Sequence, residues 1–444
     1  MTDRPMPLSR RDILATLGAA AGAASLWPGA VPAAAVELPL SSRELWDWVR
    51  AQPVLQTGIT YLDTASTGPA LRTALVAEYR SREAINLNFG EYSRAWLSPA
   101  AVTQFVQRVA AFAGTETDEM TFTTGATESL NLVANGLPLE PGDEIVVTTH
   151  EHAAHLHAWL LQARRRCIVV RQIAMPAPLG DPVQILEAFT AAITPRTRVL
   201  AMSHVQYSDG TVLPVRELCE LARSHGIVSV VDGAQAFGML NFAIRDLGCD
   251  FYAASLAKWL NGGLGLGLLY VRREWLDQLW PLTADGPAGW NEGGSFGLAD
   301  PADAELRSGW PAALRKLGTN YRSFVPLFQG LSVAFDLQER IGRARIEARI
   351  RELAIYAQLK LQEIPGLSLV TPIHPSLWAG IVSFTIRGQA LKPLASALAE
   401  KESTVIRHVA HSSIGFEALR VAAHIYNSHD DIDRLLFGVK QHLA

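Results

Sequence analysis

Between residues 60 and 272, short apolar runs alternate with longer amphipathic stretches. The runs at 120–123, 144–148, 167–171, 198–203, 228–232, 251–254 and 266–271 are rich in Val, Ile, Leu and Phe. Runs this short, continuous rather than strictly alternating, predict strands buried on both faces. Segments with helical spacing separate several of them, as right-handed βαβ units require. The pattern predicts an α/β fold built on a mostly parallel seven-stranded sheet, with ligands beyond the carboxyl ends of the strands. Upstream, 42–49 reads as a short amphipathic helix carrying Trp46 and Trp48. Tyr61-Leu62-Asp63-Thr64-Ala65 reads as a strand ending in the turn Ser66-Thr-Gly68-Pro69.

The pattern changes beyond residue 272. Residues 283–308 are rich in Gly, Asp and Pro and read as a long loop, a kind usually functional or mobile. A long helical stretch follows over 326–363, with a break near Gly342. Strands at 381–386 and 403–406 and helices at 391–401 and 430–442 then suggest a compact α+β tail. We therefore expect a large domain over 61–325 and a smaller α+β C-terminal domain over 326–444, with 36–60 packed on the latter. A chain of 444 residues is long for one core, which agrees.

Composition narrows the class. Hydrophobic residues make up 49% and charged residues 18%, as in globular proteins, and the net charge of −4 gives no reason to expect nucleic acid. Three cysteines cannot make a disulfide framework; Cys167, Cys219 and Cys249 are expected to be buried structural thiols. The N-terminus stands apart. Ser9-Arg10-Arg11-Asp12-Ile13-Leu14, an Ala/Gly/Leu stretch to Leu26, and Pro32-Ala33-Ala34-Ala35 form the pattern of a twin-arginine signal peptide over 1–35. The expected mature protein starts near Val36 and is exported to the periplasm by the twin-arginine translocase. No other apolar run is long enough to anchor it stably in a membrane.

The candidate chemistry centres on Lys258. An apolar run ends in Asp232-Gly-Ala-Gln235, and the next strand is followed by Ser255-Leu-Ala-Lys258-Trp-Leu. A lysine amine can hold the aldehyde of pyridoxal phosphate (PLP), while an acid at a strand end keeps the pyridine nitrogen protonated. Thr123-Thr-Gly125-Ala126-Thr127-Glu128 follows a strand and opens a helix, so backbone N–H groups and the Thr127 hydroxyl can meet a phosphate there. Ordinary helix capping is the alternative. In His150-Glu151-His152-Ala-Ala-His155-Leu-His157, the zinc-protease spacing is absent, and no metal is expected. His152 is better placed to lie flat on the pyridine ring. Gly262-Gly-Leu-Gly265-Leu-Gly267 leads into a strand and reads as tight turns beside the lysine rather than a dinucleotide fingerprint.

These segments resemble the fold-type I PLP enzymes of the class V aminotransferase group, which includes cysteine desulfurases and isopenicillin N epimerase-like enzymes. The resemblance runs from about Tyr61 to the end of the chain. Asp232-Gly-Ala-Gln235 is similar to the family's VDGAQ, and Lys258-Trp-Leu-Asn-Gly-Gly-Leu-Gly-Leu-Gly-Leu-Leu-Tyr-Val to KWLxGPxGxGFLYV. Leu317-Gly318-Thr319-Asn320 resembles a loop whose Thr reaches the neighbouring subunit's phosphate, and Arg420-Val-Ala-Ala-His-Ile-Tyr426-Asn427 resembles R-x-S-x-x-x-YN. The resemblance implies a homodimer and cofactor contacts at Ala126, Thr127, His152, Asp232, Gln235, Ser255 and Thr319. It implies a substrate site at Arg420, Arg407 and Tyr207, with Lys258 as the catalytic amine.

Departures bear on the reaction. The family's His before the lysine is Ala257 here, and Tyr207 stands for an Asn of desulfurases. Ser412 takes the place of the desulfurase cysteine, by spacing from Arg407. Because a hydroxyl cannot take up sulfur as a thiolate does, a cysteine desulfurase is not expected. The expected function is an exported PLP enzyme acting at the amino-bearing carbon of an amino acid or peptidyl substrate. The export signal adds a similarity to periplasmic pyoverdine-maturation PLP enzymes, which implies tailoring of a glutamyl residue on a siderophore peptide. The alternatives are an amino-acid epimerase or aminotransferase and, in another class, a PLP-fold protein that binds a ligand without turnover.

Overall fold

The computed structural model describes residues 42–175, 180–283, 309–318 and 321–443. The expected twin-arginine segment, most of the 283–308 loop and Thr319 therefore lie outside the described residues. Thirteen strands run in chain order within them: β1 (Thr60–Tyr61), β2 (Met120–Thr123), β3 (Glu144–Thr148), β4 (Val169–Ile173), β5 (Thr197–Ser203), β6 (Val228–Asp232), β7 (Phe251–Ser255), β8 (Gly267–Val271), β9 (Leu367–Leu369), β10 (Ile381–Ile386), β11 (Thr404–Val405), β12 (Arg407–His411) and β13 (Phe416–Ala422).

Seven strands form the large sheet, in the order β2-β8-β7-β6-β5-β3-β4. Neighbours from β7 to β4 pair in parallel, and β8 runs antiparallel to both β2 and β7. This is the mostly parallel seven-stranded sheet the apolar runs predict. β3, β6 and β8 are buried almost throughout, which is why they read as continuous apolar runs, while the edge strand β4 is largely open. Helices on both faces complete two apolar cores, one around Phe105, Phe122 and Phe328 and one around Val133, Trp159 and Phe251.

The smaller α+β unit holds the antiparallel sheet β12-β13-β10-β9, packed on helices Arg343–Leu361, Leu391–Lys401 and His429–Gln441. Gly342, at φ 88°, separates Tyr321–Ile341 from Arg343–Leu361, a left-handed conformation that glycine adopts without strain. The N-terminal helix Ser42–Arg50 is tied to this unit: Arg50 donates to both carboxylate oxygens of Asp431, at 2.9 and 2.8 Å.

Three details depart from the sequence reading. β4 starts two residues later than expected, because Cys167 adopts φ 57° as the C-cap of helix Ala153–Arg166. For the same reason Cys167 is exposed, and only Cys219 and Cys249 are buried thiols. The strand expected over 61–65 shrinks to the two residues of β1, paired in parallel with β11; Asp63 adds an isolated bridge to Ala422. β9, β12 and β13 carried no recognisable period.

Candidate active site

The strands that run together end at one edge of the large sheet, and the candidate residues gather there. Asp232 closes β6 and is 6% exposed; its Oδ1 accepts the Ala234 N–H at 2.9 Å, so the turn after the strand fixes the carboxylate. Lys258 follows β7 in a tightly built turn. The Gly68 N–H donates to the Ala257 carbonyl at 2.8 Å, and a Cβ on Gly68 would lie 1.9 Å from the Lys258 carbonyl oxygen. Only glycine allows that approach. Asn261, at φ 59°, donates from Nδ2 to the Pro69 carbonyl at 2.9 Å, tying the two turns together.

Burial pushes the Lys258 amine down to about 8; Asp232 opposes this, Arg420 adds to it, and Asp63 opposes it again. At pH 7 about a tenth of the amine is then unprotonated, far more than for a lysine at its ordinary value, which makes it a better nucleophile and base.

His152 caps the helix Ala153–Arg166, its Nδ1 accepting the Ala154 N–H at 3.2 Å. Although the ring has an open edge, burial and then the charge of Lys258 lower its pKa. Its ring meets Tyr207 edge-on, with centroids 4.7 Å apart. The Gln235 amide is shared: Nε2 donates to the Ala65 carbonyl at 2.9 Å, and Oε1 accepts the Trp259 indole N–H at 2.8 Å. One amide hydrogen remains for a ligand.

The opposite wall comes from the smaller unit. Arg407 and Arg420 are cross-strand partners on β12 and β13. Arg420 is 2% exposed and donates to Asp63 Oδ1 at 2.7 Å, to Ser66 Oγ at 2.8 Å and to the Tyr207 carbonyl at 2.8 Å. Its buried Nε is left without a partner. Arg407 is exposed. The Tyr207 hydroxyl and His411 Nε2 share a hydrogen bond of 2.6 Å, joining the loop after β5 to the end of β12. Burial raises the Tyr207 phenol, with Arg420 and Arg407 opposing.

Both walls enclose a cavity of about 360 Å³ that brings together His152, Tyr207, Gln235, Lys258, Arg407 and Arg420. Asp232, Ala126, Thr127 and Ser255 are not on its lining. Ala126 and Thr127 open the helix after β2, and Ser255 ends β7 opposite Gly267, so all three sit at neighbouring strand ends. A Cβ on Gly267 would lie 2.5 Å from the Gly125 backbone, so this glycine lets the helix-opening loop sit against β8. Ser412 lies in the exposed turn Ser412–Ile414, off the lining. Sequence reasoning missed Asp63, Ser66 and His411. None of the three carries a local signal; the arginine that pairs with Asp63 is far off in the sequence. Among the described residues, no group of His, Cys, Asp and Glu could hold a metal ion, and no helix is long and apolar enough to cross a membrane.

The donor set suits PLP: an amine with a depressed pKa, a buried acid closing the adjacent strand, a histidine ring on the same cavity wall and a helix N-terminus after β2 on the same sheet. Comparison with known proteins agrees. The family model for class-V aminotransferases matches residues 60–435. The isopenicillin N epimerase of Amycolatopsis lactamdurans is 32% identical over 403 residues, covering 89% of this chain and 98% of that protein. A probable cysteine desulfurase of Xylella fastidiosa is 32% identical over 411 residues, covering 88% and 94%. Among solved structures, the cysteine desulfurase CsdA of Escherichia coli superimposes with a TM-score of 0.73 at 26% identity, covering 89% of this chain and 98% of the other. These findings overturn one expectation. The exclusion of a cysteine desulfurase rested on Ser412 alone, and desulfurases stand among both the sequence relatives and the structural neighbours. A single position assigned by spacing does not outweigh similarity along the whole chain.

Proposed function

The chain belongs to the class-V aminotransferase family, and on that premise we propose that it acts at the amino-bearing carbon of a carboxylated amine, either an amino acid or a peptidyl substrate. Its fold is the fold-type I α/β fold, and PLP is its cofactor. When bound, PLP supplies an electron sink for the carbon next to the amine. One observation carries the proposal: Lys258, with its amine lowered to about 8, shares a cavity with two arginines.

The residues divide the work as follows. Lys258 would hold the cofactor's aldehyde through its amine and serve as the base that moves the proton at the amino-bearing carbon. Asp232 would accept the pyridine N–H, His152 would cover the ring, and Gln235 would offer its free amide hydrogen to the phenolic oxygen. The N–H groups of Ala126 and Thr127 would anchor the phosphate with Ser255, and Thr319 would join them from a partner subunit if the chain pairs as a homodimer. Arg420 orients the substrate carboxylate through its free Nε and the remaining hydrogen on its other nitrogens, while Tyr207 shapes the pocket. The likeness to isopenicillin N epimerases favours proton removal and return without loss of the amine.

The twin-arginine pattern at Arg10-Arg11 supports export before action, since that route carries folded proteins with cofactor in place. Export and a carboxylate-binding pocket together support a glutamyl residue of a siderophore peptide as substrate. The test is a visible-spectrum titration of the mature protein with a Glu-capped siderophore precursor, free amino acids and L-cysteine, with products followed by mass and chirality. A band shift with the precursor and a changed precursor mass support tailoring. Inversion at Cα marks an epimerase, pyridoxamine formation an aminotransferase, and sulfur release from L-cysteine a desulfurase. A spectrum that shifts with no product from any of them would leave a ligand-binding protein.

A further inference from the structure

The proposed chemistry gives Lys258 a proton to move and leaves Tyr207 only a wall to form. Yet Tyr207 is the one residue of 201–210 that is not buried, and it lines the cavity together with Lys258. Lys258 follows β7 and Tyr207 follows β5, while β6 lies between those strands in the sheet. The two groups therefore reach the cavity from either side of the strand that ends in Asp232.

The loop carrying Tyr207 is fixed by bonds that do not involve its hydroxyl. The Tyr207 carbonyl accepts from Arg420 at 2.8 Å, the Ser208 carbonyl accepts from Ser383 Oγ at 2.7 Å, and Ser208 Oγ bonds to His150 Nδ1 at 2.9 Å. The Gly210 N–H donates to the Gln206 carbonyl at 3.1 Å, and a Cβ on Gly210 would lie 2.5 Å from the Ile381 carbonyl oxygen. A loop held in this way to both units gains little from one more hydrogen bond at a half-open surface. The 2.6 Å bond between the Tyr207 hydroxyl and His411 Nε2 therefore calls for another reason.

Proton accounting supplies one. Burial and then the charge of His150 lower the His411 pKa, with Asp209 opposing, so near neutral pH the ring carries a single hydrogen. Burial likewise keeps the Tyr207 phenol protonated. With the imidazole hydrogen on Nε2, the ring donates to the phenolic oxygen, and the phenol's own hydrogen is free to face the cavity.

We propose that Tyr207, set by His411, is a second proton-transfer residue, working on the face of the amino-bearing carbon opposite Lys258. Lys258 takes the proton from that carbon. Tyr207 gives its phenolic proton to the other face, and His411 Nε2–H stabilises the phenolate left behind. Water at the half-open side of the pair restores the phenol, Lys258 returns its proton to water, and no oxidant or reductant enters. In the reverse direction the two groups exchange roles. His411 acts through Tyr207 and is a positioning residue. The inference rests on the epimerase reading of the site, under which configuration inverts and the amine stays.

Holoenzyme incubated with L-glutamate in deuterium oxide tests it, with Cα hydrogen exchange read by proton NMR and configuration by chiral chromatography. Tyr207→Phe should lower the ratio of inversion to exchange about 10²-fold, as loss of one proton-transfer group does, because Lys258 still works on its own face. His411→Leu should lower the ratio about tenfold, and His411→Gln, whose Nε2 can still donate, less than about threefold. Inversion and exchange that fall together in Tyr207→Phe, or equal losses in the two His411 variants, would overturn the proposal in favour of pocket shape. Wild type that does not invert L-glutamate fails the epimerase reading first, a distinct outcome that takes the proposal with it. Nitrogen NMR of the apo-protein at pH 8 reads the pair without cofactor or turnover. His411 should be protonated on Nε2, and that signal should move in Tyr207→Phe. An imidazole bare at Nε2 would commit the phenol's hydrogen to the ring and overturn the assignment.

Discussion

Lys258 reaches the cavity from the turn after a parallel strand, with Asp232 closing the strand beside it, whereas Arg407 and Arg420 reach it from an antiparallel pair with one strand half open to water. On the first wall, position follows from topology: strands that run together end together, and their turns must carry whatever chemistry the fold performs. On the second wall, two residues of the same type face each other across one register and still differ. Arg420 is buried with three acceptors; Arg407 is exposed. Environment rather than residue type separates the two roles, and each wall can be broken without the other.

The largest effect belongs to the first wall. Lys258→Ala should lower turnover by about 10³-fold or more, as loss of a positioned base does. A variant retaining a tenth of the activity would place the base elsewhere. Arg420→Gln should act on folding as well as turnover, since it leaves Asp63 buried without its partner, a loss of about 3–5 kcal/mol. Asp63→Asn combined with Arg420→Gln should recover most of that stability in urea unfolding but none of the turnover. Recovery of both would show that Arg420 serves only the fold.

Lys258 also has a signature in the apo-protein. Its pKa is near 8 when folded and 10.5 when unfolded, so between those values the unfolded chain binds the extra proton. Stability then rises with pH across that window, and the contribution is lost as pH falls through 8. The span is about 3 kcal/mol. Urea unfolding of wild type and Lys258→Met from pH 7 to 10.5 should differ by this slope; parallel curves would mean the amine is not desolvated.

The same contrast explains what the sequence made legible. The large sheet could be read because β3, β6 and β8 are buried on both faces and leave continuous apolar runs, and because Lys258 and Asp232 must stand at strand ends. β12 and β13 could not. Arg407-His-Val-Ala-His411 alternates only partly, and β13 buries Arg420, a residue that periodicity assigns to solvent. Asp63 escaped for a related reason: its partner lies 357 residues away, and nothing local marks an acid as one half of a buried pair.

The smallest prediction tests the second wall alone. Arg407 is exposed, so its contact with a substrate carboxylate is screened by water and contributes about 1 kcal/mol. Arg407→Gln should therefore raise KM about fivefold and leave kcat unchanged, the mark of an interaction equally strong before and during the reaction. Stability should move by less than about 0.5 kcal/mol. Because the charge is exposed, the difference in KM between variant and wild type should shrink on going from 0.05 to about 0.5 M salt, as the screening length falls. A fall in kcat that persists in salt would mean that Arg407 closes onto the substrate and is desolvated in the reacting complex, and the two arginines would then be partners rather than opposites.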